Sequence, residues 1–424
     1  KMFSRAKNDP FFSDANTNVA PVCLGLPGAM PVPNKDALIA AQRFAQAMNS
    51  ELNRKIIFER KNYFYPDLTK GYQITCPHYP IGIDGELDLS YFASAKVGDS
   101  RSFSGNLKIR LREVHLEEDT GKSMHKGDKT WLDYNKAGVP LLEIVTEPDF
   151  HSIEGAVTYC KEIQLIARTL GISEADMEKG HMRLEANISM RKLGETGLPN
   201  YRVELKNINS FGFMRKALEY EMKRQSEALD KSEILSQETR GYNETEGHTF
   251  SQRSKEEAND YRYFPEPDIP PIEIDDEWIA QIKTSMPELP SQKRKKLLEA
   301  GLSKQNIEVL INDPKLLDIH LELVRLGLES KNAANLIINK QEYKGKFAAE
   351  IVELEKSKIS LKLTDELAIN EIIQKVLSTN PKVVGDYKSG NENSIQFLMG
   401  QVMKESQGKA DATIVRKILL EFIG

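Results

Sequence analysis

Alternation of apolar and polar residues predicts a pair of strands near the middle of the chain. The segment MRLEANISM (182–190) alternates throughout, and so does YRVELKN (201–207). The linker between them contains Gly194, Gly197 and Pro199. Period-two alternation is typical of strands with one buried face, so we expect an antiparallel hairpin. Its polar face is either a solvent face with cross-strand ion pairs or a functional surface.

The segment PLLEIVTEPD (140–149) predicts a different kind of strand. Its apolar residues are contiguous, which indicates burial on both faces, and Glu143 lies in the middle of them. A carboxylate in an apolar strand must be paired, protonated or bound to a metal. We therefore predict a functional role for Glu143, with a structural ion pair as the alternative.

A third strand leads into the charged motif HLEEDTGKSMHKGD (115–128). Leu107, Ile109 and Leu111 alternate, but the apolar residues after them fall out of phase. The change of phase predicts a bulge near residues 112–113, beyond which His115 and Glu117 share a face.

The motif 115–128 contains Gly-Lys-Ser but is not a phosphate-binding P-loop. That loop needs a glycine five residues before the Gly-Lys pair, and Leu116 occupies the position. Its acidic residues would also repel phosphate unless a cation lay between them. The motif is therefore either a solvated charged turn or a metal site. In the second case Glu117, Glu118 and Glu143, on adjacent strands, are candidate ligands for Mg²⁺.

Apolar residues at helical spacing predict three helices in the first part of the chain. They begin after Asn34, after Ser152 and near Ser210, which are good N-cap residues. From about residue 291 the chain is almost wholly helical, and Pro287 and Pro290 precede the change. This organisation predicts an α+β domain over 1–290, followed by helical segments.

Composition excludes several classes of protein. The 424 residues are 40% hydrophobic and 29% charged, and no apolar run has the length of a membrane span. The three cysteines are widely spaced, which argues for a reducing compartment. A net charge of -5 is unlike that of a dedicated duplex-binding protein, so any nucleic-acid contact must come from local basic patches.

Two segments combine basic and aromatic residues. FERKNYFYPDLTKGYQIT (58–75) suits a nucleotide or an RNA end, or is a hairpin whose aromatic residues pack in the core. DYRYFPEPDIPP (260–271) contains four prolines, which predict a rigid extended segment.

Taken together, these motifs resemble one family, the B subunits of the bacterial aspartyl/glutamyl-tRNA amidotransferases. The resemblance covers essentially the whole chain. Its motifs occur in order as LGLPGAMPVPNK, RKNYFYPDLTKGYQI, HLEEDTGKSMH, GVPLLEIVTEPD, ELKNINSF, QETRGY, SKEEANDYRYFPEPD and FLMGQVMKESQGKADATIVRKIL.

The resemblance implies an α+β protein with an antiparallel-sheet cradle (1–290), a helical domain (291–362) and a small helical tail domain (363–424). It implies ATP-dependent amidation of mischarged Glu-tRNA(Gln) or Asp-tRNA(Asn) in the cytoplasm, with Mg²⁺. An amidase-type A subunit supplies ammonia, and a small C subunit completes a heterotrimer. A catalytically inert tRNA-binding scaffold of the same complex is the alternative.

The resemblance also assigns residues. Glu118 and Glu143 match metal-site carboxylates with Glu117 close by, and we predict that the first two share one Mg²⁺. Lys61, Glu204 and Lys206 match cradle residues near the reacting groups. We expect tRNA binding from basic residues of the tail, although an ordinary charged surface is the alternative; these residues are Lys382, Lys388, Lys404, Lys409, Arg416 and Lys417.

Three features differ from the family pattern. The opening strand Gly-x-Glu-x-His, which supplies a glutamate and a histidine to the metal site, would precede Lys1, so we expect an incomplete metal site in this chain. The four cysteine positions of a zinc knuckle are occupied by Ser4, Ala6, Ala20 and Cys23, so three of the four cysteines are lost. One cysteine cannot hold a structural zinc, and we expect none. Glu185 stands where many members have aspartate.

Overall fold

The computed structural model describes residues 1–93, 108–254, 260–360, 366–406 and 410–423. The chain forms two compact units, Lys1–Gln292 and Lys293–Gly424. The first is mixed α and β with mainly antiparallel sheets, and the second is helical, which confirms the predicted α+β class. The predicted boundary between the helical and tail domains lies outside the described residues. No helix in the described ranges is both long and apolar enough to cross a membrane.

The first unit contains all fifteen strands found in the described ranges. They are β1 (Glu51–Leu52), β2 (Lys55–Ile56), β3 (Glu59–Asn62), β4 (Tyr72–Thr75), β5 (Gly82–Asp88), β6 (Lys108–Glu118), β7 (Lys122–Lys126), β8 (Lys129–Asp133), β9 (Pro140–Thr146), β10 (Leu184–Ile188), β11 (Val203–Ile208), β12 (Glu238–Asn243), β13 (His248–Ser254), β14 (Phe264–Pro265) and β15 (Ile272–Glu273).

Helices cover the faces of these sheets and make up the second unit. The first unit contains α1 (Pro21–Leu24), α2 (Lys35–Ala47), α3 (Ile153–Thr169), α4 (Phe211–Asp230) and α5 (Asp276–Thr284). The others are α6 (Pro290–Glu299), α7 (Lys304–Asn312), α8 (Pro314–Arg325), α9 (Ser330–Asn339), α10 (Ala348–Ser360), α11 (Glu366–Thr379), α12 (Pro381–Lys388), α13 (Ser394–Glu405) and α14 (Ala412–Ile423).

Helix starts follow local hydrogen bonding, as the sequence predicts. The Asn34 side chain accepts from the first amides of α2. Ser152 and Ser210 cap α3 and α4 in the same way. Each cap satisfies backbone N–H groups that have no partner within the helix. All three predicted helices are therefore confirmed.

Two four-stranded sheets form the centre of the first unit. One has the order β1-β5-β6-β9 and is antiparallel throughout. The other has the order β10-β11-β12-β13 and includes one parallel pair, β11 with β12. The predicted hairpin of β10 and β11 is confirmed. Its apolar face, with Leu184, Val203 and Leu205, is buried against residues of α3 and α4.

A smaller sheet, β14-β3-β4, brings together the two basic and aromatic segments. β14 comes from the proline-rich segment and pairs antiparallel with β3, which confirms its extended conformation. The aromatic residues between β3 and β4 are not a core cluster, however. Phe64 is 89% and Tyr65 59% exposed, so the core interpretation is wrong for these two residues.

The helical unit has its own apolar cores. In its last part, α11, α13 and α14 surround a buried cluster that includes Ile373, Leu398 and Leu419. The one buried histidine described in this unit, His320, contacts Ser330 and has no acidic neighbour at its ring. The described part of the unit also contains one polar cluster, in which Lys358 contacts Glu342, Tyr343 and Glu355.

Candidate active site

Pairing of β6 with β9 gathers ionisable side chains on one face of the first sheet. His115 lies directly opposite Glu143, and Glu117 lies opposite Leu141. Because residues two apart on a strand point to the same side, Glu113, His115, Glu117 and Glu143 share that face. We call these four residues the carboxylate face.

The predicted bulge makes this arrangement possible. The register between β6 and β9 shifts between Leu111 and Glu113, as the loss of alternation indicates; Leu107, where that alternation starts, lies outside the described residues. An extra residue at a bulge reverses which side chains point to a given face. After the shift, Val114 and Leu116 point into the core and the polar residues point away from it.

Glu117 is the buried member of the carboxylate face. Glu117 is 7% exposed to solvent. Burial, reinforced by the negative charge of Glu143, raises the pKa of Glu117 from its ordinary 4.5 to about 7. Lys61 and a hydrogen bond from Thr75 lower this pKa in part. A carboxyl group with a pKa near 7 can both hold and release a proton at neutral pH.

His115 lies between two of the glutamates. Its Nε2 is 3.3 Å from a carboxylate oxygen of Glu113, and its Nδ1 is 3.9 Å from one of Glu143. The Nε2 atom is buried and makes no hydrogen bond of acceptable geometry. A buried polar atom without a partner is uncommon and marks a place where another group belongs.

The burial predicted for Glu143 is wrong. Its strand, β9, is at the edge of the described sheet and is only partly covered, and the Glu143 side chain is 53% exposed. The apolar run reflects one-sided packing of Leu142 and Ile144 against the core. Because Glu143 is exposed, its negative charge does not need a partner within the fold. The carboxylate is therefore accessible to a ligand.

Glu118 points to the opposite face of the sheet from Glu143. It forms an ion pair with Lys70, in which both side chains are 6% exposed. It also accepts the backbone N–H of Ile74 at 3.0 Å. The structure therefore does not bring Glu118 and Glu143 together, because the alternation of side chains along β6 separates them.

Aromatic residues line the side of the site that carries Lys61. The Lys61 ammonium lies 4.9 Å from the ring centre of Tyr261 and 5.9 Å from that of Tyr63. Burial, with Tyr261 and the charges of Glu117 and Glu143 among the further causes, raises the pKa of Tyr263 to about 12. The two basic and aromatic segments thus meet beside the carboxylate face.

Several residues of this region were not singled out from the sequence. The buried Glu59 accepts from His78, with Nδ1 to Oε2 at 2.9 Å. Thr75 bonds Glu117, and Gln73 Nε2 donates to the backbone oxygen of Glu118 at 2.7 Å. Apart from the alternation of β3 and β4, no sequence signal marks these residues, because their partners lie 19 to 45 positions away.

Glu204 and Lys206 form a separate polar group on the second sheet. The Lys206 ammonium is 3.3 Å from Glu185 and 3.5 Å from Glu204. Thr239 donates to Glu204 at 3.0 Å. Burial lowers the pKa of Lys206, but the two glutamates outweigh it and the net shift is upward. A cross-strand ion pair, as predicted, is therefore present between Lys206 and Glu185.

One ion pair links the two sheets. Arg183, just before β10, donates to Asp119, just after β6, at 3.0 Å. Lys136 contacts the same carboxylate at 2.6 Å. The Asp119 carboxylate is buried and the Arg183 side chain is half exposed, and their pair holds the end of β6 against the second sheet.

The positions of the family's zinc knuckle, all of them described, contain no cluster of ligands. Ser4 Oγ and Cys23 Sγ are 3.2 Å apart, which keeps the two segments in contact through a hydrogen bond. That the chain holds no zinc stays a prediction, which elemental analysis of the purified protein would test.

The described basic residues of the tail are exposed, and Lys409 lies outside the described residues. Lys417 is 4.0 Å from Glu421, so its charge is partly compensated. The exposed residues are Lys382, Lys388, Lys404, Arg416 and Lys417.

The carboxylate face offers few protein ligands for magnesium. Among the described residues, no group of three or more His, Cys, Asp or Glu is placed to hold a metal ion. Mg²⁺ is usually bound by one or two carboxylates together with water and substrate phosphates, so a complete protein cage is not required. The exposed carboxylate of Glu143 suits such a site, and His115 Nδ1 lies 3.9 Å from it.

The raised pKa of Glu117 predicts a pH-dependent stability. Between pH 4.5 and about 7 the folded protein holds a proton that the unfolded chain has lost, so this group's contribution to stability falls as pH rises. We expect Glu117→Gln to gain stability relative to the unsubstituted protein from pH 5 to 7, and the gain to level off above pH 7. Urea midpoints of both proteins at pH 5, 6, 7 and 8 measure the difference.

Glu147→Gln is the matched control for that experiment. Glu147 bonds Arg112 at 2.7 Å, and this hydrogen bond holds the pKa of Glu147 below its usual range. Its contribution is lost only at lower pH, so the control difference should be flat from pH 5 to 8. A flat difference for Glu117→Gln as well would contradict the raised pKa.

Comparison with known proteins matches this chain along its whole length. The family profile described as "GatB/GatE catalytic domain" matches residues 1–280, and the one described as "GatB domain" matches residues 283–423. The chain is 41% identical over 459 residues to the aspartyl/glutamyl-tRNA(Asn/Gln) amidotransferase B subunit of Persephonella marina, covering 97% of this chain and 94% of the relative. The corresponding proteins of Thermotoga petrophila and Thermus thermophilus are 38% and 36% identical, and each match covers 100% of this chain and at least 95% of the relative.

Proposed function

This chain belongs to the GatB family of amidotransferase B subunits, and on that premise we propose that it carries out tRNA-dependent amidation. Its substrates are mischarged Glu-tRNA(Gln) and Asp-tRNA(Asn), and the products are Gln-tRNA(Gln) and Asn-tRNA(Asn). The enzyme is a carbon–nitrogen ligase with glutamine as the nitrogen donor. The partners are an amidase-type A subunit and a small C subunit, in a cytoplasmic heterotrimer.

Two steps account for the amide bond. The side-chain carboxylate of the mischarged residue attacks the γ-phosphorus of ATP, which forms a C–O–P linkage and releases ADP. Ammonia from the amidase-type partner then attacks the activated carbonyl carbon, phosphate leaves, and the nitrogen loses a proton. The first step needs charge compensation for phosphate oxygens, and the second needs a proton acceptor.

The observation that supports this proposal is that the buried Glu117 and the exposed Glu143 lie on the same face of the sheet. A pKa near 7 suits Glu117 to accept the proton released by the attacking nitrogen. Glu143, being open to solvent, can take part in holding the phosphates through a cation. A bound Mg²⁺ would compensate phosphate charge, with Glu143 as its carboxylate, because a carboxylate that binds the cation is not free to accept a proton.

Lys61 is a cation that acts on Glu117. Its charge lowers the pKa of Glu117, so its ammonium lies close enough to attract a phosphate or the substrate carboxylate. Tyr63 and Tyr261 flank it and offer faces for stacking an unpaired base. We assign Lys61 to positioning of the substrate rather than to proton transfer.

Glu118 has a different proposed role from the one its motif suggests. Its carboxylate is held by Lys70 and by a backbone amide on the far side of the sheet. It therefore stabilises the end of β6, beside Glu117, instead of sharing a cation with Glu143. Glu204 and Lys206 belong to the second sheet, where their ion pairs keep a polar surface in place for the substrate.

The assay that tests the function is ATP cleavage by the reconstituted complex. We expect cleavage with Mg²⁺ and mischarged tRNA, and not with uncharged tRNA. Amide formation on the tRNA should match ADP release one to one. An intact complex that binds mischarged tRNA but never cleaves ATP would identify this chain as a scaffold.

The tail contributes affinity for tRNA through exposed positive charge. The triple variant Lys382→Gln, Lys388→Gln and Arg416→Gln should weaken tRNA binding with little loss of rate at saturating tRNA. Each lost phosphate contact lowers the magnitude of the slope of log K against log salt by roughly 0.7–0.9, so three lost contacts should lower it by about 2.1–2.7. Filter binding at several salt concentrations measures it.

Lys375→Gln is the control for the tail variant, because Lys375 is engaged with Glu405 at 2.8 Å. It should leave the salt dependence unchanged. Equal tRNA affinity and equal salt slope for the triple variant and the unsubstituted complex would show that these residues are an ordinary charged surface.

A further inference from the structure

The hairpin of β7 and β8 has a basic and aromatic face that the proposed reaction does not use. The register places Met124 opposite Trp131 and Lys126 opposite Lys129. Because residues two apart share a side, Lys122 lies on the same face. Trp131 is 59% and Met124 40% exposed. We call these five residues the ribbon face.

Two acidic residues accompany the ribbon face, Asp133 on the same side and the exposed Asp128 in the turn. Among the described residues, no carboxylate pairs with Lys122, Lys126 or Lys129. Asp133 lies opposite Lys122, but its carboxylate accepts the backbone N–H groups of Asn16 at 3.1 Å and Asn135 at 2.9 Å. Like charges directly opposite each other destabilise a strand pair. The repulsion between Lys126 and Lys129 therefore lowers the stability of the free hairpin, and a bound anion would relieve that repulsion.

The base of the hairpin is attached to the body of the first unit. The Gly121 amide donates to the backbone oxygen of Asp67 at 2.8 Å, and Asn16 donates to that of Leu132 at 3.0 Å. A Cβ atom at Gly121 would lie 2.9 Å from the Tyr134 ring, so only glycine fits at this position.

The tip of the hairpin is a tight turn. Two residues connect the strands, and Gly127 has a φ of 64° at the first of them, the arrangement of a type II′ turn. The ribbon face is thus presented in a defined direction, with its base attached and its tip exposed. Ordering it on binding costs little conformational entropy.

The composition of the face identifies its ligand. Lysines bind phosphates, and an exposed tryptophan stacks on an unpaired base. Protein interfaces are depleted in lysine, and the apolar part here is limited to two side chains. Sequence-tolerant RNA recognition combines these same two elements at unpaired ends and loops. The charge and aromatic pattern together favour RNA over a protein partner.

The position of the hairpin places such a ligand near the carboxylate face. β7 starts four residues after Glu118, the last residue of β6. At roughly 3.3 Å per residue, Met124 is at most about 25 Å along the chain from Glu117. An RNA held on the ribbon face therefore has its end within reach of the site.

We infer that the ribbon face binds the unpaired end of the RNA substrate, with Trp131 stacking on a nucleotide and the lysines contacting its phosphates. This inference rests on the proposed function and specifies which element holds the acceptor end. It assigns the hairpin to substrate binding and not to the chemical steps.

The test uses the reconstituted complex, intact tRNA and the same tRNA lacking its unpaired 3′ nucleotides. Trp131→Ala should weaken binding of intact tRNA about tenfold and leave binding of the shortened tRNA unchanged. Trp131→Phe keeps an aromatic face and should restore most of the affinity. Because Trp131 is exposed, neither substitution should impair folding.

A second variant tests the lysines. Lys126→Gln with Lys129→Gln should weaken binding and lower the salt slope by about 1.5, at roughly 0.7–0.9 for each contact. Lys192→Gln with Lys231→Gln removes the same charge from exposed positions outside the hairpin and should change neither quantity.

The outcomes separate this inference from the proposed function. Unchanged tRNA affinity in both hairpin variants, with normal ATP cleavage by the unsubstituted complex, would overturn the ribbon inference alone. Weaker assembly with the partner proteins at unchanged tRNA affinity would make the hairpin a protein interface and also overturn it. An unsubstituted complex that neither binds tRNA nor cleaves ATP would remove both proposals together.

Discussion

Replacing Glu143 with glutamine should lower tRNA-dependent ATP cleavage by about 10²–10³-fold, the loss that follows removal of one group that acts on transition-state charge. The side chain is 53% exposed, so the substitution leaves no buried group unpaired and should not affect folding. Glutamine keeps the shape but removes the negative charge that helps to hold a cation against the phosphates.

Three measurements on the same complex separate catalysis from structure. ATP cleavage should fall, whereas basal glutamine hydrolysis, which belongs to the amidase-type partner, should remain. Assembly, followed by size-exclusion chromatography, should also remain. Because Glu143 helps to raise the pKa of Glu117, the pH profile of the residual activity should move toward lower pH.

Glu147→Gln is the matched control in the same segment. Glu147 pairs with Arg112 outside the carboxylate face, and exposed pairs of this kind contribute little. Its ATP cleavage should stay near the unsubstituted level. If the Glu143→Gln complex cleaves ATP at the unsubstituted rate, the proposed role of Glu143 is wrong. Loss of both activities together with assembly would show that Glu143 is structural.

The second large effect is on stability, and we expect Glu221→Ala to weaken the second sheet by about 3 kcal/mol. Glu221 is fully buried on α4 and pairs with Arg224 at 2.8 Å and Arg240 at 3.0 Å. It also accepts from Gln225 Nε2 at 2.9 Å. Removing this carboxylate leaves two guanidinium groups short of a partner. Glu238, which also contacts both arginines, limits the loss.

The control is a pair on the surface of the same helix. Glu227 lies 3.9 Å from Lys223 and both are exposed, so Glu227→Ala should cost only about 0.3–0.5 kcal/mol. Amide hydrogen exchange of β12 and β13 reports the local free energy of opening in each variant. Equal protection in the two variants would mean that the buried network contributes nothing to the stability of this sheet.

Much of the local structure follows from the sequence alone. The three capped helices, the β10–β11 hairpin and the bulge before Glu113 were predictable because each depends on neighbouring residues. The family could also be identified from its motifs, since they extend over the whole chain. The carboxylates of the site were predictable as a group for the same reason.

The partners of those carboxylates were not predictable from the sequence. Glu118 is adjacent to Glu117 in the chain, yet it faces the other way and pairs with Lys70, 48 positions away. The sequence motif cannot show this, because a strand sends neighbouring residues to opposite faces and only the sheet determines what lies there.

The exposure of Glu143 likewise depends on tertiary structure. Its apolar neighbours indicate a strand, and that part is correct. Whether a strand is central or at an edge depends on sheet order, which is set by pairing between distant segments. The sequence by itself determined the strands β6, β9, β10 and β11, the three capped helix starts, the family and the residue types of the site. Only the tertiary structure decided that Glu143 is open to solvent, that Glu117 is buried with a pKa near 7, and that Glu118 belongs to a separate ion pair, because burial and electrostatic neighbours arise from contacts between segments far apart in the chain.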